Sequence, residues 1–70
     1  MGGVIIKDDV YIGANCSIER ASMEGMFTEI GNNCILDSGV KISHNVKMGN
    51  NVVVLGNATV AGHCVLGDYS

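Results

Sequence analysis

The residues of this chain best suited to acid–base chemistry at neutral pH are His44 and His63. An imidazole, with an ordinary pKa of about 6.5, takes or gives a proton near neutrality. His44 sits within Ile42-Ser43-His44-Asn45-Val46, and a lone histidine in a bend is most often a solvated or structurally hydrogen-bonded residue. Asp37 lies a short way upstream, and a carboxylate on one ring nitrogen would fix the tautomer and direction of an imidazole. An aspartate in a bend also bonds its own backbone, so both readings stand for Asp37. A catalytic zinc needs three protein ligands and an open position, and two histidines fall short of that. Cys16, Cys34 and Cys64 are odd in number and form no Cys-x-x-Cys pair. They read as small reduced packing residues in a cytoplasmic protein, not as a disulfide framework.

The elements that would position these groups follow from an apolar beat. Ile6, Ile12, Ile18, Ile30, Leu36, Ile42, Met48, Val54, Val60 and Leu66 recur at multiples of six residues. Six fits neither the helical period near 3.6 nor the strand period of 2. Taking these as slot 1, slot 5 holds small or β-branched residues such as Val10, Cys16, Cys34, Val40, Val46 and Val52. Slots 5 and 1 of the next hexad are two apart and share the inner face of a short strand, with slot 6 facing outward. Slots 2 to 4 are then a bend. Slot 4 carries Asn15, Asn33, Asn45, Asn51 and Asn57, and asparagine tolerates positive φ better than other non-glycine residues. His63 takes the same slot. Gly13, Gly31, Gly49 and Gly67 recur every 18 residues in slot 2, which implies three strands per coil. The expectation is an all-β triangular solenoid of about three and a half coils.

Residues 24–29, Glu-Gly-Met-Phe-Thr-Glu, break the pattern, with Glu24 in an inward slot and Phe27 in the positive-φ slot. The Gly13–Gly31 spacing is kept across them, so an irregular loop at 24–29 is expected to occupy one side of the triangle. Stacking by 18 puts Asp8, Met26, His44 and Gly62 on one corner, with His44 one rung above the loop. It also stacks Cys16 on Cys34 as an inward thiol ladder, and it separates Asp37 from His44 by a whole strand.

Bulk properties narrow the function classes. Apolar residues make up 47% of the chain and charged ones 16%, which excludes a disordered segment. The net charge of −3 gives no electrostatic footprint for nucleic acid. No apolar run approaches the roughly 18 residues of a membrane span.

Three segments carry a resemblance: Ser17-Ile18-Glu19-Arg20-Ala21-Ser22, the run from Cys34 to Asn51 that includes Leu36-Asp37-Ser38 and Ser43-His44-Asn45-Val46, and Ala58 to Tyr69. Together they resemble the β-helix of the UDP-3-O-acylglucosamine N-acyltransferases of lipid A synthesis, within the hexapeptide-repeat transferases. The resemblance covers nearly the whole chain and implies a partial left-handed parallel β-helix over residues 1–70. It implies acyl transfer from a carrier thioester to the amine of a nucleotide-linked amino sugar, with His44 as catalytic general base and Asp37 and Asn45 binding substrate. The donor would be an acyl carrier protein or, in the related N-acetyltransferases, acetyl-CoA, with no bound cofactor. The assembly would be a parallel homotrimer. Glu19-Arg20-Ala21 and Asp37-Ser38-Gly39 stand where the family reads Asp-Arg-Gly and Asp-Asn-Gln. Seventy residues would then be a piece or a shortened relative of such an enzyme, and a catalytically inert assembly module is the reading of another class.

Overall fold

The computed structural model describes residues Gly2–Ser70. Among these residues every regular element is a short strand: β1 (Gly3–Ile6), β2 (Tyr11–Ile12), β3 (Ser17–Ile18), β4 (Phe27–Ile30), β5 (Ile35–Leu36), β6 (Lys41–Ile42), β7 (Lys47–Met48), β8 (Val53–Val54), β9 (Thr59–Val60) and β10 (Val65–Leu66). Every third strand pairs in parallel, giving three sheets ordered β1-β4-β7-β10, β2-β5-β8 and β3-β6-β9. This is a three-sided parallel β-solenoid of three coils and one further strand, consistent with the left-handed β-helix that the resemblance implies. No helix among the described residues is long and apolar enough to cross a membrane.

The slots behave as their chemistry demands. Asn15, Asn33, Asn45, Asn51, Asn57 and His63 all have φ between 58° and 62°, as do Asp9 and Tyr69 in the same slot. Each left-handed residue turns the chain onto the next side of the triangle after a short strand. The buried cluster is drawn entirely from slots 1 and 5: Ile30, Leu36, Ile42, Met48 and Val54 with Cys34, Val40, Val46 and Val52. It occupies the middle of the stack, whereas the same slots in the first coil stay partly open, with Ile6 45% and Ile12 38% exposed.

The first coil departs from the expected repeat. Gly3 pairs with Phe27 and Ile6 with Ile30, an offset of 24 residues, and Ile12 with Leu36 and Ile18 with Ile42 keep it. Above that, Ile30 pairs with Met48 and Leu36 with Val54, an offset of 18. A whole extra hexad therefore leaves the coil after β3 and returns at β4. Inserting six residues leaves a six-residue beat unbroken, so the Gly13–Gly31 spacing is coincidental. Gly31 does press on Gly49, where an added Cβ would run into the Gly49 carbonyl oxygen, but Gly13 packs on Asp37 and Ser38.

Several expectations change with that register. The irregular segment runs from Glu19 to Met26, while Phe27–Ile30 is strand, so the loop does not occupy 24–29. Glu24 is exposed in the loop, where its charge needs no burial, and Gly25, at φ 78°, makes the turn that Phe27 avoids. Cys16 and Cys34 sit on different corners: the Cys16 Sγ donates to Asp37 O at 3.1 Å and the Cys34 Sγ to Gly49 O at 3.2 Å. All three cysteines are free.

Corners are tied coil to coil. The Asn32 side-chain oxygen accepts from Asp8 N at 2.9 Å, that of Asn50 from Asn32 N at 2.8 Å, and the Asp68 carboxylate from Asn50 N at 2.7 Å. Asp8 thus belongs to this ladder and not to the corner of His44. On the outer face of β4 and β7, Lys47 Nζ holds Glu29 Oε2 at 2.7 Å and also donates to Phe27 O. The Lys47 hydrogen bond, ahead of the charge attraction, pulls the Glu29 carboxyl below the usual glutamate range.

Two outcomes are expected. Ile42→Ala, in the closed middle of the stack, should destabilise by about 2–5 kcal/mol, and Ile12→Ala by clearly less in a denaturant titration. A carboxyl with a depressed pKa contributes stability above its unfolded value of about 4.3, and loses it as pH falls through the folded value. The melting-temperature gap between the parent and Glu29→Gln should therefore be widest near neutrality and close on acidification to about pH 3.

Candidate active site

The corner between β6 and β7 is where the extra hexad leaves its mark. Glu19 N donates to Ile42 O at 2.9 Å, which places Arg20 next in register beneath His44. Gly62 lies directly above, so the slot-3 ladder of this corner reads Arg20, His44, Gly62. Met26, expected here, instead closes the loop from beside Asn45.

A cavity of about 420 Å³ opens at this corner, lined by Glu19, Arg20, Ala21, Ser22 and His44. The loop makes it. At the other bends a slot-4 N–H donates to a slot-3 carbonyl one coil below, as Asn51 N does to Asn32 O at 2.8 Å. With the loop swung away, Asn45 N turns to the Thr28 hydroxyl at 2.9 Å, and Thr28 is fully buried for that purpose. The Asn45 side-chain oxygen accepts from Ser22 N at 2.9 Å and from Ser22 Oγ at 3.0 Å, while its Nδ2 faces Met26 Sδ at 3.8 Å. Asn45 is 5% exposed. Its side-chain oxygen is engaged within the chain, where it holds the cavity wall.

His44 is half-buried and presents one nitrogen. Its Nδ1 is buried and has no hydrogen-bond partner among the described residues, leaving Nε2 as the open one. The His63 ring stands edge-on to it, with centroids 5.0 Å apart and planes at 80°, and His63 N donates to His44 O at 3.0 Å. Among the described residues no group of three His, Cys, Asp or Glu is placed to hold a metal. Asp37 stands on the previous corner, exposed, with Oδ1 accepting from Ser38 N at 2.7 Å. Within one chain it does not meet His44.

The sequence singled out His44 and Asp37 and put His63 in a bend, but it did not foresee the cavity wall of Arg20, Ala21 and Ser22. The signal was present in part: Ala21 and Phe27 are the two slot-4 positions that break the run of left-handed residues. Asn45→Ala should free Ser22 and loosen the loop while the core stays intact. Hydrogen exchange should accelerate at Ser22 and its loop neighbours, with the strands β5–β8 unchanged.

The bacterial transferase hexapeptide profile (six repeats) matches residues 27–62. UDP-3-O-acylglucosamine N-acyltransferase 2 of Nitrobacter winogradskyi is 44% identical over 66 residues, covering 94% of this chain and 15% of that protein. The UDP-3-O-acylglucosamine N-acyltransferase of Leptospira biflexa is 41% identical over 66 residues, and that of Bordetella petrii 42% over 67. Each of these two is covered to 18% of its length, so the chain spans under a fifth of these relatives. No solved structure matches significantly. The left-handed residue every sixth position, the three parallel sheets and the profile match agree, and the chain belongs to the bacterial transferase hexapeptide family.

Proposed function

We propose that the protein transfers an acyl group from a carrier thioester to the amine of a nucleotide-linked amino sugar, as in lipid A synthesis, with His44 as general base. The observation that carries this is the placement of an imidazole, open at Nε2, beside a cavity made by the loop of the extra hexad. The relatives' names supply the substrate class. The amine nitrogen attacks the thioester carbonyl carbon, and His44 Nε2 takes the proton the nitrogen must lose. Collapse of the tetrahedral intermediate breaks the carbon–sulfur bond, and the imidazolium returns the proton to the leaving thiolate. The products are an amide and a free thiol. An acyl carrier protein is the donor we favour, with acetyl-CoA as the alternative, and the substrates are cytoplasmic.

For Nε2 to accept a proton, Nδ1 must carry one, and a buried N–H without an acceptor costs about 1–3 kcal/mol. The same reading has subunits of a homotrimer share the site, with Asp37 of one copy approaching the exposed side of the His44 ring of the next. In the intact protein His44→Ala should lower turnover about 10²–10⁴-fold with an unchanged melting temperature. Mixing His44→Ala subunits with Asp37→Asn subunits should recover part of the activity, since some sites then draw both native residues from different chains. Full turnover by His44→Ala would remove His44 as the base, and an intact protein inert toward both acyl carrier protein and coenzyme A thioesters would sink the reading in favour of an assembly module. A mixture no more active than its components would remove Asp37 from the site.

A further inference from the structure

We infer that Gly62 and His63 form a seat for the His44 imidazole and are positioning residues for it. The activity readout of this inference rests on His44 being the base, whereas its spectroscopic readout does not. Gly62 does not adopt a positive φ, so the bend does not require glycine there. What requires it is the ring below. A Cβ on Gly62 would lie 2.8 Å from His44 Cε1, closer than packed atoms allow, and tight against Nε2 at 3.0 Å and Nδ1 at 3.3 Å. The bare Cα lets the imidazole lie against the coil above it. His63 closes a second side, its ring edge-on at 5.0 Å. Its backbone does what asparagine does at Asn33, Asn45, Asn51 and Asn57, so an imidazole is not needed for the turn. The ring is an addition to the bend, and it meets His44. With two sides closed, the His44 ring is held in place before substrate arrives, with Nδ1 buried.

Three substitutions separate ring from backbone. His63→Asn keeps the left-handed bend and removes the ring. His63→Tyr keeps an aromatic ring, and Tyr69 shows that tyrosine takes this conformation at φ 62°. Gly62→Ala drives the imidazole off the coil, and because the clash is with a side chain the fold can yield locally. In the intact protein carrying ¹³Cε1-labelled histidine, His63→Asn and Gly62→Ala should each shift the His44 resonance, and His63→Tyr should keep a ring-current shift. Turnover should fall about 3–10-fold in His63→Asn and up to about 100-fold in Gly62→Ala, with KM and melting temperature little changed and His63→Tyr near the parent. A His44 resonance unmoved by both His63→Asn and Gly62→Ala would overturn the seat. So would unchanged turnover in both variants of a protein that His44→Ala inactivates. If His44→Ala is itself active, the functional reading fails and the resonances alone decide the seat.

Discussion

A left-handed residue at every sixth position is the constraint on which the rest of this molecule depends. The conformation costs most L-residues about 1–2 kcal/mol, and asparagine, aspartate and glycine bear it most easily. Where it is met, two residues of strand suffice for a side, because the turn brings the next side into register with the coil beneath. Parallel pairing then satisfies the backbone, and the slot-1 and slot-5 side chains close over one another inside the triangle. Asn33, Asn51 and Asn57 thus determine where Ile30, Leu36, Ile42 and Met48 can be buried.

The site arises where that constraint lapses. Ala21 and Phe27 do not turn left-handed, and the chain between them bulges from the stack before β4 resumes over β1. A bulge of this kind strands backbone donors, and the chain answers with Thr28, Asn45 and Ser22, whose side chains replace the missing coil-to-coil bonds. The arrangement has a consequence for chemistry. The polar groups that hold the loop are consumed in holding it, and the groups left facing the cavity include Arg20, Glu19 and the open edge of His44.

The orphaned Nδ1 of His44 sits uneasily in an otherwise well-bonded corner. Buried polar atoms without partners are rare, and those that persist mark function or a missing neighbour. This one is enclosed by its own chain, and it marks the His44 ring as the unusual group of the corner. The half-open ends of the stack, where Ile6 and Ile12 remain exposed, also show that packing is complete only in the middle coil.

Much of this was legible in the residues. The beat of six, the asparagine slot and the alternation of large and small inward groups determined the three-sided stack and its core, because a bend every six residues leaves the chain few other ways to bury its aliphatics. His44 and Asp37 could be placed on successive corners, and His63 in a bend, from the same count. What the residues could not reveal was which hexad is not a side. An insertion of one full repeat preserves every period in the sequence, down to the Gly13–Gly31 spacing, and only strand pairing in space distinguishes an offset of 24 from one of 18. Tertiary structure therefore decided that Arg20 lies under His44, that Cys16 and Cys34 lie on different corners, and that Asn45 is spent on the loop. Register is a relation between distant segments, and a local repeat carries no record of it.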